Sequence, residues 1–405
     1  MTRIELTEHR TTRSVELRPE EVLTLRRMVP SLTLVSSFSA RGTWDLTPGS
    51  DVGVITIGDR EISIRPKVSI RRLMFLLSYS ADQVRWHDGE VAYGDEPDLD
   101  DLLLAAYSRA LQQALGRGVL RGYRTEESAL FTVRGHIDFN EQLRRRFGRM
   151  PPIAVRFDEY DENIAANQLL KAALTRCRHL QLGAPGIGQC LRRFEFALAE
   201  VGLVDFDPRR LPDVAYNRLN EHYRLAVELA KLILRSLTIE QNPGRSRASA
   251  FLVNMNKAFE DFVVIALRES LGAGKGAFPQ GAKGRPIHLD EGGVINLKPD
   301  ISWWDGTTCR FVGDVKYKRI KAEGILHPDL YQLLAYTVAL DLHEGLLIYA
   351  KGEAAEVEHV VNFAGKRLHV HAIDVSGAPD EVLADVAHLA TIVRRLRVRA
   401  GGGPD

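Results

Sequence analysis

The sequence has little cysteine, little net charge and no long apolar run, and each shortage removes a class of protein. Its three cysteines are scattered with no CxxC pair, so neither a disulfide framework nor a structural zinc site is expected. The formal net charge of +1 provides no general attraction for nucleic acid. No segment approaches the roughly 18 apolar residues of a membrane span, and the polar first residues lack the apolar stretch of a signal peptide. We therefore expect a cytoplasmic protein that contacts no membrane.

The chain also lacks a GxxxxGK[ST] loop, so nucleotide hydrolysis linked to it would belong to a partner. Its 405 residues exceed one ordinary core, and two or three domains are expected. Strand-like and helical patterns predict an α+β multidomain protein. We predict a β-rich N-terminal module over residues 1–85 and a mainly helical middle domain with a strand pair over 86–245. A C-terminal α/β domain with a mixed sheet follows over 246–400, and 401–405 form a disordered tail.

Local patterns predict individual elements within these regions. Alternating residues from Val52 to Pro66 indicate a hairpin that turns at Gly58-Asp59. We predict a strand over Ala129–Gly135 and a second strand over Ile153–Tyr160. The helical spacing of Asn254–Gly272 predicts a helix that ends at its glycine.

The segment NLKPDISWWDGTTCRFVGDVKYKR, residues 296–319, predicts two strands around an Asp-Gly turn. It carries the acids Asp300 and Asp314 and the basic Lys316. These charges are unusual in strands that otherwise resemble core, and they fit either a solvated edge or a site.

The pairing register decides whether the charges can cooperate. With a five-residue loop centred on Gly306, Asp300 faces Val312 and Asp314 lies one step further on the same face. Both carboxylates could then reach one cation, and Lys316 would share their face. A register shifted by one residue would separate the two acids.

Two hard carboxylate ligands with open water positions suit Mg²⁺, and Mn²⁺ can substitute. Such a metal lowers the pKa of bound water and stabilises charge on a phosphodiester. A neighbouring lysine can orient or deprotonate that water and offset the developing charge. The sequence therefore permits a phosphodiester-hydrolysing site on this hairpin.

Two helices supply further polar residues. Glu260 lies between the apolar Phe259 and Phe262, and the predicted helix Pro328–Leu340 carries Gln332 and Tyr336 on one stripe. Taken singly, each is more often a solvated surface residue than a site residue. Their order along the chain favours a site.

The order Glu260, Pro299-Asp300, Asp314-Val315-Lys316 and Gln332-x-x-x-Tyr336 resembles the PD-(D/E)xK nuclease superfamily, in particular its Q-x-x-x-Y branch. The resemblance implies a restriction-endonuclease-like C-terminal domain. It also implies metal ligation by Asp300, Asp314 and the backbone carbonyl of Val315, with Glu260 as a further candidate ligand. A catalytic Lys316, an accessory acid at Glu260, and shaping of the site by Gln332 and Tyr336 are implied as well.

Four upstream stretches narrow the resemblance: Gly53–Ser80, Val133–Arg146, Phe157–Leu174 and Met255–Val263. Together with the nuclease motif they resemble McrC, the nuclease subunit of McrBC-type modification-dependent restriction systems, from about residue 15 to 395. Asp314 stands where many relatives carry glutamate, and both acids can bind Mg²⁺. The resemblance implies a McrB-like AAA+ GTPase as a hexameric partner, which the chain stimulates, and double-stranded DNA carrying modified cytosine as substrate.

Charge and expected exposure suggest two further groups of residues. The DNA-contacting candidates are Lys298, Lys318, Arg319 and Lys321, and the partner-contacting candidates are Asp59, Arg144, Arg145 and Arg146. Two other functions stay open: a stand-alone DNA-processing nuclease of the RecB or Cas4 type, and a catalytically inert activator of an AAA+ ring.

Overall fold

The computed structural model describes residues 2–37, 42–82, 99–146, 151–178, 187–240, 248–281, 285–319, 327–350 and 357–400. Its helices and several mixed sheets confirm the α+β class. None of the helices in these ranges is both long and apolar enough to span a membrane. The predicted tail lies outside the described residues.

The chain forms two compact units. One contains Met1–Ile55, Asp59–Asp98 and Leu252–Asp405, and the other contains Thr56–Gly58 and Leu99–Phe251. The predicted division into three regions stays a prediction.

The helices are α1 (Pro19–Met28), α2 (Ile70–Asp82), α3 (Leu99–Leu115), α4 (Phe139–Arg146), α5 (Ala165–Cys177), α6 (Ile187–Ala197), α7 (Arg224–Ser236), α8 (Met255–Leu271), α9 (His327–Ala339) and α10 (Pro379–Arg399). The first nine strands are β1 (Thr2–Thr7), β2 (Thr12–Glu16), β3 (Thr33–Ser36), β4 (Thr43–Thr47), β5 (Asp51–Ile57), β6 (Arg60–Arg65), β7 (Gly122–Leu130), β8 (His136–Ile137) and β9 (Ile153–Asp161). The other strands are β10 (Leu237–Glu240), β11 (Ala248–Asn254), β12 (Ile287–His288), β13 (Asn296–Leu297), β14 (Ile301–Asp305), β15 (Thr308–Arg319), β16 (Glu344–Ala350), β17 (Val357–Val360) and β18 (Arg367–Ile373).

The N-terminal part of the chain is rich in strands. β5 and β6 lie side by side and turn at Gly58, whose φ of 60° explains why glycine occupies this position. The predicted hairpin is therefore confirmed. β1 pairs with β6 in parallel, and β2, β4 and β3 form a separate antiparallel sheet.

Helices of the second unit pack around buried polar contacts. The hydroxyl of Tyr107 on α3 donates to the carbonyl of Leu170 on α5 at 2.9 Å. β9 pairs with β7 on one side and β8 on the other. The predicted strand Ala129–Gly135 was wrong, because β7 spans Gly122–Leu130 and Gly135 adopts a φ of 72° that interrupts extended structure.

A five-stranded mixed sheet forms the C-terminal part of the first unit, in the order β14-β15-β16-β18-β17. β15, β16 and β18 run parallel, and the outer strands β14 and β17 are antiparallel to their neighbours. The predicted helix before this sheet is confirmed as α8, and it ends at Gly272 in the left-handed conformation.

The two faces of β15 meet different helices. Val312 packs in one apolar cluster with Leu333 and Tyr336 of α9. The ring of Tyr317 lies 5.8 Å from that of Phe259 on α8. Because side chains alternate along a strand, the positions that share the face of Val312 point toward α9.

Candidate functional site

The β14–β15 hairpin sets the relative position of the two acids. Ile301 pairs with Gly313, so continuing the pairing by one residue places Asp300 opposite Asp314. The predicted register, in which Asp300 faced Val312, was wrong by two residues. A shift of two residues leaves the face of each side chain unchanged, so the two acids still share a face.

A tight turn and a bulge produce this register. Asp305 pairs with Thr308 across a two-residue turn that begins at Gly306, where φ is 60°. The predicted five-residue loop was therefore too long. Arg310 is the extra residue of a β-bulge, because Trp304 pairs with Cys309 while the preceding Trp303 pairs with Phe311.

Backbone groups hold Asp300 at the open end of the hairpin. The N–H of Val315 donates to its Oδ2 atom at 2.8 Å, and the N–H of Gly281 donates to its backbone carbonyl at 3.0 Å. The preceding residue, Gln280, forms an isolated bridge with Ile301. Asp300 is thus fixed from both the return strand and the segment that follows α8.

Asp314 and Lys316 form a close ion pair on the face toward α9. Asp314 is only 1% exposed, and its Oδ2 atom lies 2.5 Å from Nζ of Lys316, whose side chain is 22% exposed. Apart from this ion pair, the same oxygen has no hydrogen-bond partner among the described residues. A buried carboxylate with one incompletely satisfied oxygen is suited to receiving a cation.

The electrostatics of the site show how strongly the acids interact. Burial, then the charge of Asp314, raises the pKa of Asp300 to about 7, although the Val315 N–H and Lys316 oppose the shift. Burial disfavours the charged ammonium of Lys316, but Asp314, Asp300 and Asp329 outweigh it, and the pKa of Lys316 lies above its ordinary value. The site therefore concentrates negative charge beside one lysine.

Glu260 lies on α8, and its charge adds to the raised pKa of Asp300. Its Oε1 atom accepts from Nζ of Lys257 at 2.7 Å and from Nε2 of Gln280 at 3.4 Å. The same two donors contact Asp261, with Lys257 at 2.9 Å. Sequence reasoning missed both donors. The spacing from Lys257 to Glu260 on one helix face was an available signal, whereas Gln280 lies in a loop without a pattern.

The predicted polar stripe of α9 borders the site. The buried hydroxyl of Tyr336 donates to the carbonyl of Lys298 at 3.1 Å and is hydrogen-bonded to the exposed Gln332. Asp329 of the same stripe is 6% exposed and accepts from the hydroxyl of Tyr349 at 2.7 Å. Tyr349 had no sequence signal, because it reaches Asp329 only through the pairing of β15 with β16.

The other predicted residues are dispersed. Lys298 is exposed beside Pro299-Asp300, and Asp59 is exposed at the β5–β6 turn, 3.8 Å from Nη1 of Arg18. Arg144 is exposed on α4. The side chains of Lys318, Arg319, Arg145 and Arg146, and the whole of Lys321, lie outside the described residues.

The oxygen donors of this site suit a divalent cation, although the protein supplies only a small number of ligands. The described ranges bring no three His, Cys, Asp or Glu residues close enough to hold a metal together. Asp300 and Asp314 nevertheless place two hard oxygen donors together in a buried setting that disfavours two negative charges. Two carboxylates that leave positions for water match the preference of Mg²⁺.

Two acids and a lysine gathered on the β14–β15 hairpin of a mixed sheet define an acid–acid–lysine centre. The sequence profile of the family described as McrBC 5-methylcytosine restriction system component matches residues 46–350, more than half of the chain. The chain belongs to this McrBC family.

One solved structure extends the likeness to the fold. A chain in the refined half-complex from the tetradecameric assembly of Thermococcus gammatolerans McrB AAA+ hexamers with bound McrC aligns with a TM-score of 0.56 and 18% identity, covering 97% of this chain and 100% of that chain. A chain in the cryo-EM structure of the Thermococcus gammatolerans McrBC complex aligns with a TM-score of 0.41 and 20% identity, covering 67% and 88%. No curated protein matches the sequence. The first of these alignments indicates a fold shared over almost the full length.

Proposed function

We propose that this chain is the Mg²⁺-dependent DNA endonuclease subunit of a McrBC-type restriction system. It cuts DNA carrying modified cytosine when coupled to a McrB-like AAA+ GTPase ring, and it stimulates that ring. The observation that carries the proposal is the placement of Asp300 opposite Asp314 with Lys316 beside them on one hairpin.

Asp300 and Asp314 would hold the ion, together with the backbone carbonyl of Val315, and Mn²⁺ would substitute for Mg²⁺. When bound, such an ion supplies an activated water and stabilises negative charge on the phosphodiester. The Val315 N–H keeps the Asp300 carboxylate in place before substrate arrives, so little reorganisation is needed.

Lys316 supplies positive charge where the reaction develops negative charge. Its pKa lies above the ordinary value, so the ammonium is protonated near neutral pH and acts as a hydrogen-bond donor. Tyr336, fixed by the carbonyl of Lys298, and Gln332 shape the wall beside it. Glu260 serves as an accessory acid.

The near-neutral charge supports dependence on a partner for holding DNA. Membership of the McrBC family and the fold shared with a chain of the McrB–McrC assembly support a McrB-like ring as that partner. Lys298, Lys318, Arg319 and Lys321 are the proposed DNA contacts. Asp59, Arg144, Arg145 and Arg146 are the proposed contacts with the ring.

The test is cleavage of cytosine-methylated DNA by the chain purified with an AAA+ partner, in the presence of Mg²⁺ and GTP. Lys316→Ala should reduce cleavage by about two orders of magnitude or more, since it removes a charge that stabilises the transition state. It should leave stimulation of GTP hydrolysis intact. Lys275→Ala, at an exposed position, is the matched control.

Three outcomes separate the alternatives. Equal cleavage by the wild type and Lys316→Ala would overturn the proposed site. Robust cutting by the isolated chain would favour a stand-alone nuclease. Stimulated GTP hydrolysis without any cleavage by the wild type would favour an inert activator.

A further inference from the structure

Glu260 lies close enough to Asp300 to influence its charge, yet two donors already engage its carboxylate. Lys257, one turn earlier on α8, reaches Oε1 at 2.7 Å, and Gln280 reaches the same oxygen at 3.4 Å. We call these two donors the Lys257–Gln280 clamp.

The clamp is anchored beside the candidate metal site. Gln280 forms a bridge with Ile301, and the N–H of the next residue, Gly281, donates to the carbonyl of Asp300. The side chain of Gln280 therefore links α8 to the start of β14. Both donors engage Oε1 of Glu260, so movement of this oxygen toward Asp300 requires that it leave them.

We propose that the Lys257–Gln280 clamp withholds Glu260 from the metal site, and that its release gives the site a third carboxylate. The inference rests on the proposed function, because it assigns a regulatory role at the same site. In the clamped state the described residues gather only two carboxylates suited to the cation. More negative ligands bind a divalent cation more tightly, so release increases metal affinity.

The exposure of the donor Lys257 indicates how the clamp opens. Its side chain is 54% exposed, whereas that of the acceptor Glu260 is 22% exposed. A phosphate group of DNA can reach the exposed ammonium and compete for it, since lysine binds phosphate as a point charge. Substrate binding and metal binding are then coupled, and each tightens the other.

The experiment measures Mn²⁺ affinity of the purified full chain by electron paramagnetic resonance, without partner or turnover. Lys257→Met should bind Mn²⁺ about fivefold more tightly than the wild type, because a partly exposed ion pair contributes roughly 1 kcal/mol. Gln280→Ala should shift affinity in the same direction without changing charge. Lys257→Arg should retain wild-type affinity.

Background substitutions distinguish release of a ligand from a through-space charge effect. The gain from Lys257→Met should vanish in a Glu260→Gln background and persist in an Asp261→Asn background. Persistence of the gain with Glu260→Gln, or no gain in either clamp variant, overturns the clamp. Loss of Mn²⁺ binding in Asp314→Asn would show that the wild type binds the ion through Asp314. The proposed metal site is then supported even if the clamp is overturned.

The proposed trigger has its own measurement. A short DNA duplex should tighten Mn²⁺ binding by the wild type, and it should have little further effect on Lys257→Met. Absence of tightening in the wild type overturns the phosphate trigger.

Discussion

The backbone N–H of Val315 donates to Oδ2 of Asp300 at 2.8 Å, so the return strand itself holds the acid that precedes the hairpin. A main-chain donor stays in place when the side chain at position 315 changes, unless proline is introduced. The hairpin therefore fixes Asp300 through its backbone and Asp314 through its register.

Asp300→Asn should stabilise the cation-free chain in a pH-dependent way. Burial and Asp314 raise the pKa of Asp300 to about 7, so its ionisation costs folding free energy. That cost is absent below the ordinary pKa near 4, grows between about pH 4 and pH 7, and is complete above this range. The variant should gain about 1–3 kcal/mol above pH 7, measured by thermal unfolding in a chelator. Asp213→Asn, at an exposed position, should show no such gain, and an equal gain at every pH would contradict the explanation.

Lys316→Met should destabilise the cation-free chain by about 2 kcal/mol, because it leaves the buried charge of Asp314 without its ion pair. Addition of Asp314→Asn should recover most of the loss. Urea denaturation in a chelator provides the measurement. The exposed pair between Arg367 and Glu358 is the control, and Arg367→Met should cost less than about 1 kcal/mol. A double variant as unstable as the single one would contradict the assignment.

Deletion of Arg310 should leave Mn²⁺ binding close to that of the wild type. Arg310 has no partner on β14, so its removal keeps Trp303 opposite Phe311 and Ile301 opposite Gly313, and Asp300 still lies opposite Asp314. Arg310→Ala retains the extra residue and should bind Mn²⁺ like the wild type. Circular dichroism should confirm that both variants are folded. Loss of binding by the folded deletion variant would show that the bulge itself, and not only the pairing of the two acids, is needed for the site.

Gly313→Ala should destabilise the sheet and weaken cleavage by displacing Asp314. An added Cβ would lie 2.8 Å from the carbonyl oxygen of Leu346 and 2.9 Å from Cδ1 of Ile301, which is closer than packed atoms allow. We expect a loss of about 1–3 kcal/mol in denaturant unfolding. Gly274→Ala, where an added Cβ meets nothing within 4 Å, should be nearly neutral. Comparable losses in both variants would rule out crowding as the cause.

Elements with a local signal could be predicted from sequence. The β5–β6 hairpin follows from alternation and Gly58, and the end of α8 follows from Gly272. β7 was misplaced because its residues, beginning GYRTEES, alternate in exposure without a regular apolar pattern. Local chemistry therefore predicts turns and caps better than strands.

The candidate site was predictable as a set of residues but not as a geometry. The motif order indicated Asp300, Asp314 and Lys316. The pairing register of β14 and β15, however, depends on a bulge at Arg310 that no sequence pattern indicated. The contact from Gln280 to Glu260 joins residues from different elements. Such contacts follow from tertiary packing, which residue spacing alone does not specify.

The extra residue at Arg310 also shows where this hairpin can change in length. A residue of β15 without a partner on β14 can be lost while the pairs on either side of it stay in place, so Asp300 remains opposite Asp314. Because opposed residues share a face of the sheet, the two acids still serve one site after such a change. The bulge is therefore the position at which the hairpin tolerates a one-residue difference between related sequences.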